Sequence, residues 1–308
     1  MSPRTGLQPV KRTRSAFARE QHRWGYIFIA PAIIGLIVLT AYPIIFSFIV
    51  GLSEWDIITP MNFVGLRNYI QMFTKDELIG KSLIVTVKYT LMSVPLSNAV
   101  ALIMALLLNT SVKGRSVFRT VFYIPSILPV VASAALWMYL YNPMYGALNE
   151  FLKMLGMQKL GWIYDKDMVL PCMAVMSAWA SGNTAVIYLA GLQGIPRHLY
   201  EAVEIDGGGA FAKTRVITLP MLSPVILYNL IIGVIGSMQT FTQGYIMTDG
   251  GPQNASLFYV LLLYRRAFKN MEMGYASAMA WLLFVIIAAL TLINFGFSRY
   301  WVYSEGDN

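Results

Sequence analysis

Six long apolar runs decide what this chain can become. They cover residues 26–52, 82–109, 117–141, 169–192, 220–247 and 275–298. A helix needs about 20 apolar residues to cross the hydrocarbon of a bilayer, and every run meets that length. Inside hydrocarbon each backbone N–H and C=O must find a partner within the protein, so only helices and closed barrels span. The predicted fold is an all-α membrane protein with six transmembrane helices. The sparse charge agrees: 12% of residues are Asp, Glu, Lys or Arg, against about a quarter in soluble domains.

The runs divide the chain. Residues 1–25 form a basic tail, 26–52 the first span, 53–81 an outer loop, 82–298 the remaining five spans with their connections, and 299–308 a closing tail. A basic start before an apolar stretch also describes a secretory signal. Run 26–52 is too long for that, and no small-x-small cleavage pattern follows it, so a retained helix is expected. Pro31, Pro43, Pro95, Pro125, Pro129, Pro171 and Pro224 interrupt the runs. Neighbouring helices re-satisfy such breaks inside a bundle, and the breaks shape cavities. In the outer loops, 66–77, 148–155 and 257–268 are predicted as short helices, the last lying along the outer surface with alternating apolar and basic faces.

Charge placement sets the orientation. With the first tail in the cytoplasm, the cytoplasmic pieces carry thirteen Lys and Arg, and the outer loops nine, balanced by nine acids. Basic residues favour the cytoplasmic side, so both termini are expected there. The net charge of +8 is thereby a topology signal and does not call for a nucleic-acid partner. Lys88 lies inside the second run and is read as snorkelling to the outer interface. Trp137, Tyr139 and Tyr141 read as an interfacial aromatic belt.

Several chemistries lack material. Cys172 is the sole cysteine and sits in an apolar run; His22 and His198 are the only histidines. No internal disulfide, His-based metal site or Ser-His-Asp relay is expected. The spans contain no Asp or Glu. That weighs against the main competing class, a secondary transporter or channel coupled to ions through in-span acids.

The connection 194–220 is unusually polar and patterned: GIPRHLYEAVEIDGGGAFAKTRVITLP. Pro196 suits the first turn of a helix. Arg197–Ile205 is predicted as a short helix with Leu199, Ala202 and Val203 on one stripe. Asp206-Gly207 signals a turn, since Gly takes positive φ readily. A second short helix is predicted over 210–218, with Pro220 opening the next span. Residues 207–214, GGGAFAKT, nearly match the phosphate-binding pattern G-x-x-x-x-G-K-[ST]. Ala212 stands where the second Gly belongs, and no strand precedes it, so nucleotide binding is rejected here.

Glu201-Ala202, Asp206-Gly207-Gly208, Phe211 and Ile217-Thr218-Leu219-Pro220 resemble the EAA loop of binding-protein-dependent ABC importer permeases; Val203 departs from the usual third residue. Phe63-Val64-Gly65-Leu66-Arg67-Asn68-Tyr69, Phe118-Arg119, Thr248-Asp249-Gly250-Gly251-Pro252 and Gly274-Tyr275-Ala276 are similar to the sugar-importing, maltose-type branch. The resemblance implies a type I ABC importer transmembrane domain in a bacterial-type cytoplasmic membrane, without enzymatic activity of its own. It implies a sister permease in a heterodimer, two cytoplasmic ATPase subunits that bind the ATP and Mg, an extracytoplasmic solute-binding protein, and no cofactor on this chain. It assigns ATPase coupling to Leu199, Glu201, Ala202, Val203, Asp206 and Gly207. It places the substrate pathway on the two spans that flank the loop. There Met176, Trp179, Ala180 and Asn183 recur at helical spacing, as do Gly233, Gly236, Ser237 and Thr240, with Gln239 beside them. Trp179 is expected to stack on a sugar ring. Asn183, Ser237 and Thr240 are expected to hydrogen-bond hydroxyls.

Overall fold

The computed structural model describes residues 16–110 and 114–303, and the side chains from residue 23 onward. The tail cations Arg4, Lys11, Arg12, Arg14 and Arg19, and also Lys113, fall outside that description. The chain divides into two compact units, 1–50 and 51–308.

The first unit is one long helix. α1 (Ala16–Leu36) passes through a π-helical turn, Ile37–Ala41, into α2 (Tyr42–Gly51). Pro43 explains the turn. It has no N–H for the carbonyl of residue 39, and its ring crowds that carbonyl. Widening the helix over 37–41 absorbs both problems. From Tyr26 onward the helix is apolar all round; Phe28, Leu39 and Ile45 are all exposed, as suits a lipid-facing segment.

In the second unit a short antiparallel ribbon pairs β1 (Ser53–Glu54) with β2 (Asn62–Phe63), and α3 (Arg67–Thr74) follows. The central pillar is α4 (Glu77–Asn109), 33 residues, or about 50 Å at 1.5 Å per residue. The Asp76 carboxylate caps it by accepting the Leu78 N–H at 3.1 Å, satisfying one of the free donors of the first turn. α5 (Arg115–Ile127), α6 (Val130–Leu140) and the outer α7 (Ala147–Met154) come next. α8 (Val169–Trp179) and α9 (Gly182–Gln193) pack along α4. On the inner half Ala101 and Ala105, both fully buried, let α4 approach Tyr188, Leu189 and Leu192 of α9 closely.

Two predicted spans are broken helices. Run 117–141 is α5 plus α6, bent by 100° at Leu128-Pro129; run 169–192 is α8 plus α9, bent by 49°. At the first break Pro129 denies the helix a donor and pushes Leu128 into the extended region (φ −65, ψ 135). At Gly182 a Cβ would stand 2.8 Å from the Phe122 carbonyl, so α5 and α9 touch backbone to backbone. Among the described residues four helices are long and apolar enough to span alone, and up to six if each bent pair is one span.

α10 (Arg197–Ile205) forms as predicted. The helix after it is not a separate short one. α11 (Ala210–Lys213), a π turn at Thr214–Thr218 and α12 (Leu219–Met238) make one helix of 29 residues. Pro220 therefore does not open the span; like Pro43, it sits two residues beyond a π turn. α12 also stops at Met238 rather than reaching 247, and α13 (Thr242–Met247) is separate. α14 (Tyr259–Tyr264), continued by a π turn to Lys269, is not laid on the surface as predicted. Leu257, Phe258, Tyr259 and Leu261 are fully buried. Tyr259 donates its N–H to Thr86 Oγ1 at 2.9 Å and its hydroxyl to the Met279 carbonyl at 3.0 Å, wedging α14 between α4 and α15 (Met273–Ser298). Its basic end is held by acids: Arg265 bonds Asp249 at 3.0 Å, and Arg266 bonds Asp76 at 2.6 Å.

Candidate functional site

The polar connection folds into a braced bracket. Gly207 takes φ +80 and ends α10 with paired reversed bonds. Gly207 N–H reaches the Glu204 carbonyl at 3.0 Å, and Gly208 N–H the Val203 carbonyl at 2.8 Å. This is the Schellman closure, which needs a left-handed residue where Gly207 stands. Lys213 of α11 pairs with Glu204 of α10. The Tyr200 and Thr218 hydroxyls meet at 3.1 Å, beside the π turn. The short helix is thus tied to the long one that enters the bundle.

The named loop residues divide by side. Glu201, Ala202, Asp206 and Gly207 are exposed; Leu199 and Val203 are half-buried. Leu199 and Tyr200 pack on the inner core of Ala101, Leu192 and Leu222. Of the stripe Leu199, Ala202 and Val203, Leu199 packs on its own bundle while Ala202 is exposed. The two most exposed apolar side chains here are Ile205 at 87% and Phe211 at 79%; Phe211 belongs to the EAA-like pattern, whereas Ile205 was not singled out from sequence. Ile205 lies four residues after Glu201, one helical turn along the same face, and that spacing was available as a signal. The near-match to a phosphate loop follows a helix, α10, and begins another, so the strand–loop–helix context is missing.

A second feature lies between the long helices: a cavity of about 380 Å³. Of the named pathway residues, Asn183, Gly233, Gly236, Ser237 and Thr240 line it. The others lie elsewhere. Met176 is packed in the apolar core. Trp179 meets Trp137 edge to face at 5.8 Å, and Ala180 caps α8. Gln239 borders a different, apolar groove with Val260 and Leu283. Most of the polar wall was missed: Tyr89, Ser93, Ser97 and Asn98 of α4, Ser177 of α8, Thr184 of α9, Asn229 of α12 and Gln243 of α13. Tyr89, Ser93 and Ser97 recur every four residues in an apolar run, a stripe visible in sequence.

The wall is a hydrogen-bond lattice with gaps. Tyr89 donates to Gln243 Oε1 at 2.9 Å and lies 2.6 Å from Ser177 Oγ, which is 3.5 Å from Gln243 Nε2. The three groups close a ring. Tyr188 donates to Asn98 Oδ1 at 2.7 Å, and Asn98 Nδ2 to the Val94 carbonyl at 2.9 Å. Ser237 bonds Thr90 at 3.0 Å. Two lining atoms, Ser93 Oγ and Asn229 Nδ2, are buried without a partner. Unpaired buried polar groups are costly unless something completes them. No Asp, Glu, Lys, Arg or His lines this cavity among the described residues.

Residues 97–303 match the family model described as binding-protein-dependent transport system inner membrane component. The chain is 40% identical over 304 residues to the probable ABC transporter permease protein YesP of Bacillus subtilis, covering 97% of each chain. It is 33% identical over 279 residues to the trehalose/maltose transport system permease protein MalF of Thermococcus litoralis, covering 90% of this chain and 94% of that one. A crystallised bacterial alginate ABC transporter has the same fold, with a TM-score of 0.80 over 93% of this chain and 97% of that one at 20% identity. The polytopic helical bundle, its bracketed loop and these matches agree: the chain belongs to the family of inner membrane components of binding-protein-dependent transport systems, as a multi-pass ABC importer permease.

Proposed function

We propose that this chain forms one half of the membrane pathway of an ATP-driven saccharide importer. The observation that carries the reading is the uncharged cavity on α4, α9 and α12, walled by the polar side chains of Ser97, Asn98, Asn183, Thr184, Thr240 and Gln243. A sugar offers many donors and acceptors and no charge, which is what those groups accept. The trehalose and maltose named for the Thermococcus litoralis relative belong to that class.

A sister permease supplies the other half, and a solute-binding protein delivers substrate to the outer face. Both termini and α10 lie in the cytoplasm. There an ATPase subunit takes Glu201, Ala202 and Ile205 of α10, with Phe211 of α11, into a cleft, while Leu199 and Val203 hold the helix from behind. ATP and Mg bind to that ATPase, and this chain turns over no substrate chemically. Because α11 and α12 are one continuous helix, a push on the bracket reaches the cavity without crossing a loop.

The test is uptake of radiolabelled maltose, trehalose and larger saccharides into proteoliposomes holding the complete transporter. Uptake that needs both ATP and the binding protein is expected. Uptake driven by a proton gradient without ATP overturns the reading.

A further inference from the structure

The outer ends of α4 and α8 enclose a groove of about 630 Å³ that bears Lys81, Lys88 and Lys166. Among the other outer-loop cations five pair with acids, while Lys75 and Lys153 carry no ion pair among the described residues. Arg67 pairs with Glu54, Lys159 with Glu150, Arg265 and Lys269 with Asp249, and Arg266 with Asp76 and Glu272. Lys88 and Lys166 have no carboxylate partner among the described residues. Lys81 donates only to the Gln253 carbonyl, at 2.8 Å. One acid, Asp167, also lines the groove, and it forms no ion pair with these lysines. Three ammonium groups therefore share a cleft with a single carboxylate.

The groove and the cavity lie along the same two helices, α4 and α8. Val85 lines the groove, and Tyr89, one turn further along α4, lines the cavity; Leu170 and Ser177 repeat this two turns apart on α8. Lys88 lies 21 residues before the end of α4 at Asn109, or about 32 Å along the helix. That length matches the hydrocarbon thickness of about 30 Å, so Lys88 sits at the outer boundary of the bilayer. A cleft of one sign of charge concentrates anions at its mouth. Lysine suits this task, being a flexible point charge without the fixed fork of arginine.

Resting on the importer reading, we propose that Lys81, Lys88 and Lys166 form an anion subsite at the outer mouth of the pathway. It receives the carboxylate of an acidic saccharide, such as a uronate-bearing oligosaccharide. The work is divided along the seam: the groove recognises charge, and the uncharged cavity beyond it recognises hydroxyls.

The assembled transporter in phosphatidylcholine nanodiscs is treated with an amine-acetylating reagent and read by mass spectrometry. The probes are trigalacturonate and its carboxyl-reduced, neutral counterpart. Trigalacturonate is expected to slow acetylation of Lys88 and Lys166 by about tenfold relative to Lys153, an exposed lysine outside the groove, while the neutral trisaccharide does not. Equal acetylation with and without trigalacturonate overturns the proposal. So does protection that appears only in phosphatidylglycerol nanodiscs, which assigns the groove to a lipid headgroup. In proteoliposomes the double variant Lys88→Gln/Lys166→Gln is expected to lose uptake of the acidic trisaccharide by about tenfold and keep uptake of the neutral one. Equal loss of both overturns it. Absence of ATP-dependent uptake of every saccharide by the wild type removes the importer reading itself, a different result from intact neutral uptake with indifferent lysines.

Discussion

At Tyr89 one hydroxyl closes a ring with Ser177 and Gln243, whereas Ser93, one turn away, bonds nothing. The two positions should respond differently to loss of an oxygen. Tyr89→Phe is expected to destabilise the protein by about 1–3 kcal/mol, because it strands partners that are already dry. This reads as a lower melting temperature of the detergent-solubilised protein. Ser93→Ala is expected to leave melting unchanged and to raise the KM for transport. On α10, Glu201→Lys is expected to abolish uptake while the protein still reaches the membrane, as immunoblots of membrane fractions would show. A charge-assisted contact of about 1.5–3 kcal/mol would be replaced there by repulsion. Residue roles were only partly legible in the sequence. Gly233, Gly236 and Ser237 lie on α12 and Thr240 two residues beyond its end, so their spacing groups them at the cavity. The stripe from Met176 to Asn183 crosses the 49° bend between α8 and α9. A helical phase does not carry through a bend, and only Asn183 of that stripe reaches the cavity.

Among elements, the closed end of α10 and the broken spans decide the geometry. Gly207 at φ +80 accepts no ring that fixes φ near −65, and any Cβ there costs about 1–2 kcal/mol. Gly207→Pro is accordingly expected to lose uptake. Gly207→Ala should keep part of it, with ATPase stimulation by loaded binding protein reduced in step. Gly182→Val is expected to part α5 from α9, since even its Cβ would meet Phe122 and Ser126. Loss of the folded monomer peak in size-exclusion chromatography would check this. Turn chemistry made α10 readable in advance: Pro196 opens it and Asp206-Gly207 closes it. The prolines at 125 and 129 announced a break, but not its 100° angle, which depends on what packs on either side. The burial of α14 was hidden for another reason. Its basic residues suggested a solvated face, yet they are neutralised by Asp76, Asp249 and Glu272, which are remote in sequence or lie across a turn.

For the whole molecule, the six-run pattern specified the helical class, and the lone Cys172 offers a direct test of its orientation. It is buried, so Cys172→Ala provides a background without thiols. A single cysteine introduced at Met157 is expected to react with a membrane-impermeant maleimide from outside the cell. One at Gly209 should react only after the membrane is opened. The reverse pattern would invert the topology.

The wall of the 380 Å³ cavity has a consequence for the energised membrane in which such a protein works. A passage wide enough for a bulky polar solute is also wide enough for a proton or sodium ion with its water. Stripping an ion to enter an apolar region costs tens of kcal/mol when no counter-charge is present, and this wall supplies dipoles but no fixed charge. On the pathway proposed above, such a wall selects against small bare ions, whereas a saccharide brings many hydroxyls that the same dipoles can bond, even where it also carries a carboxylate.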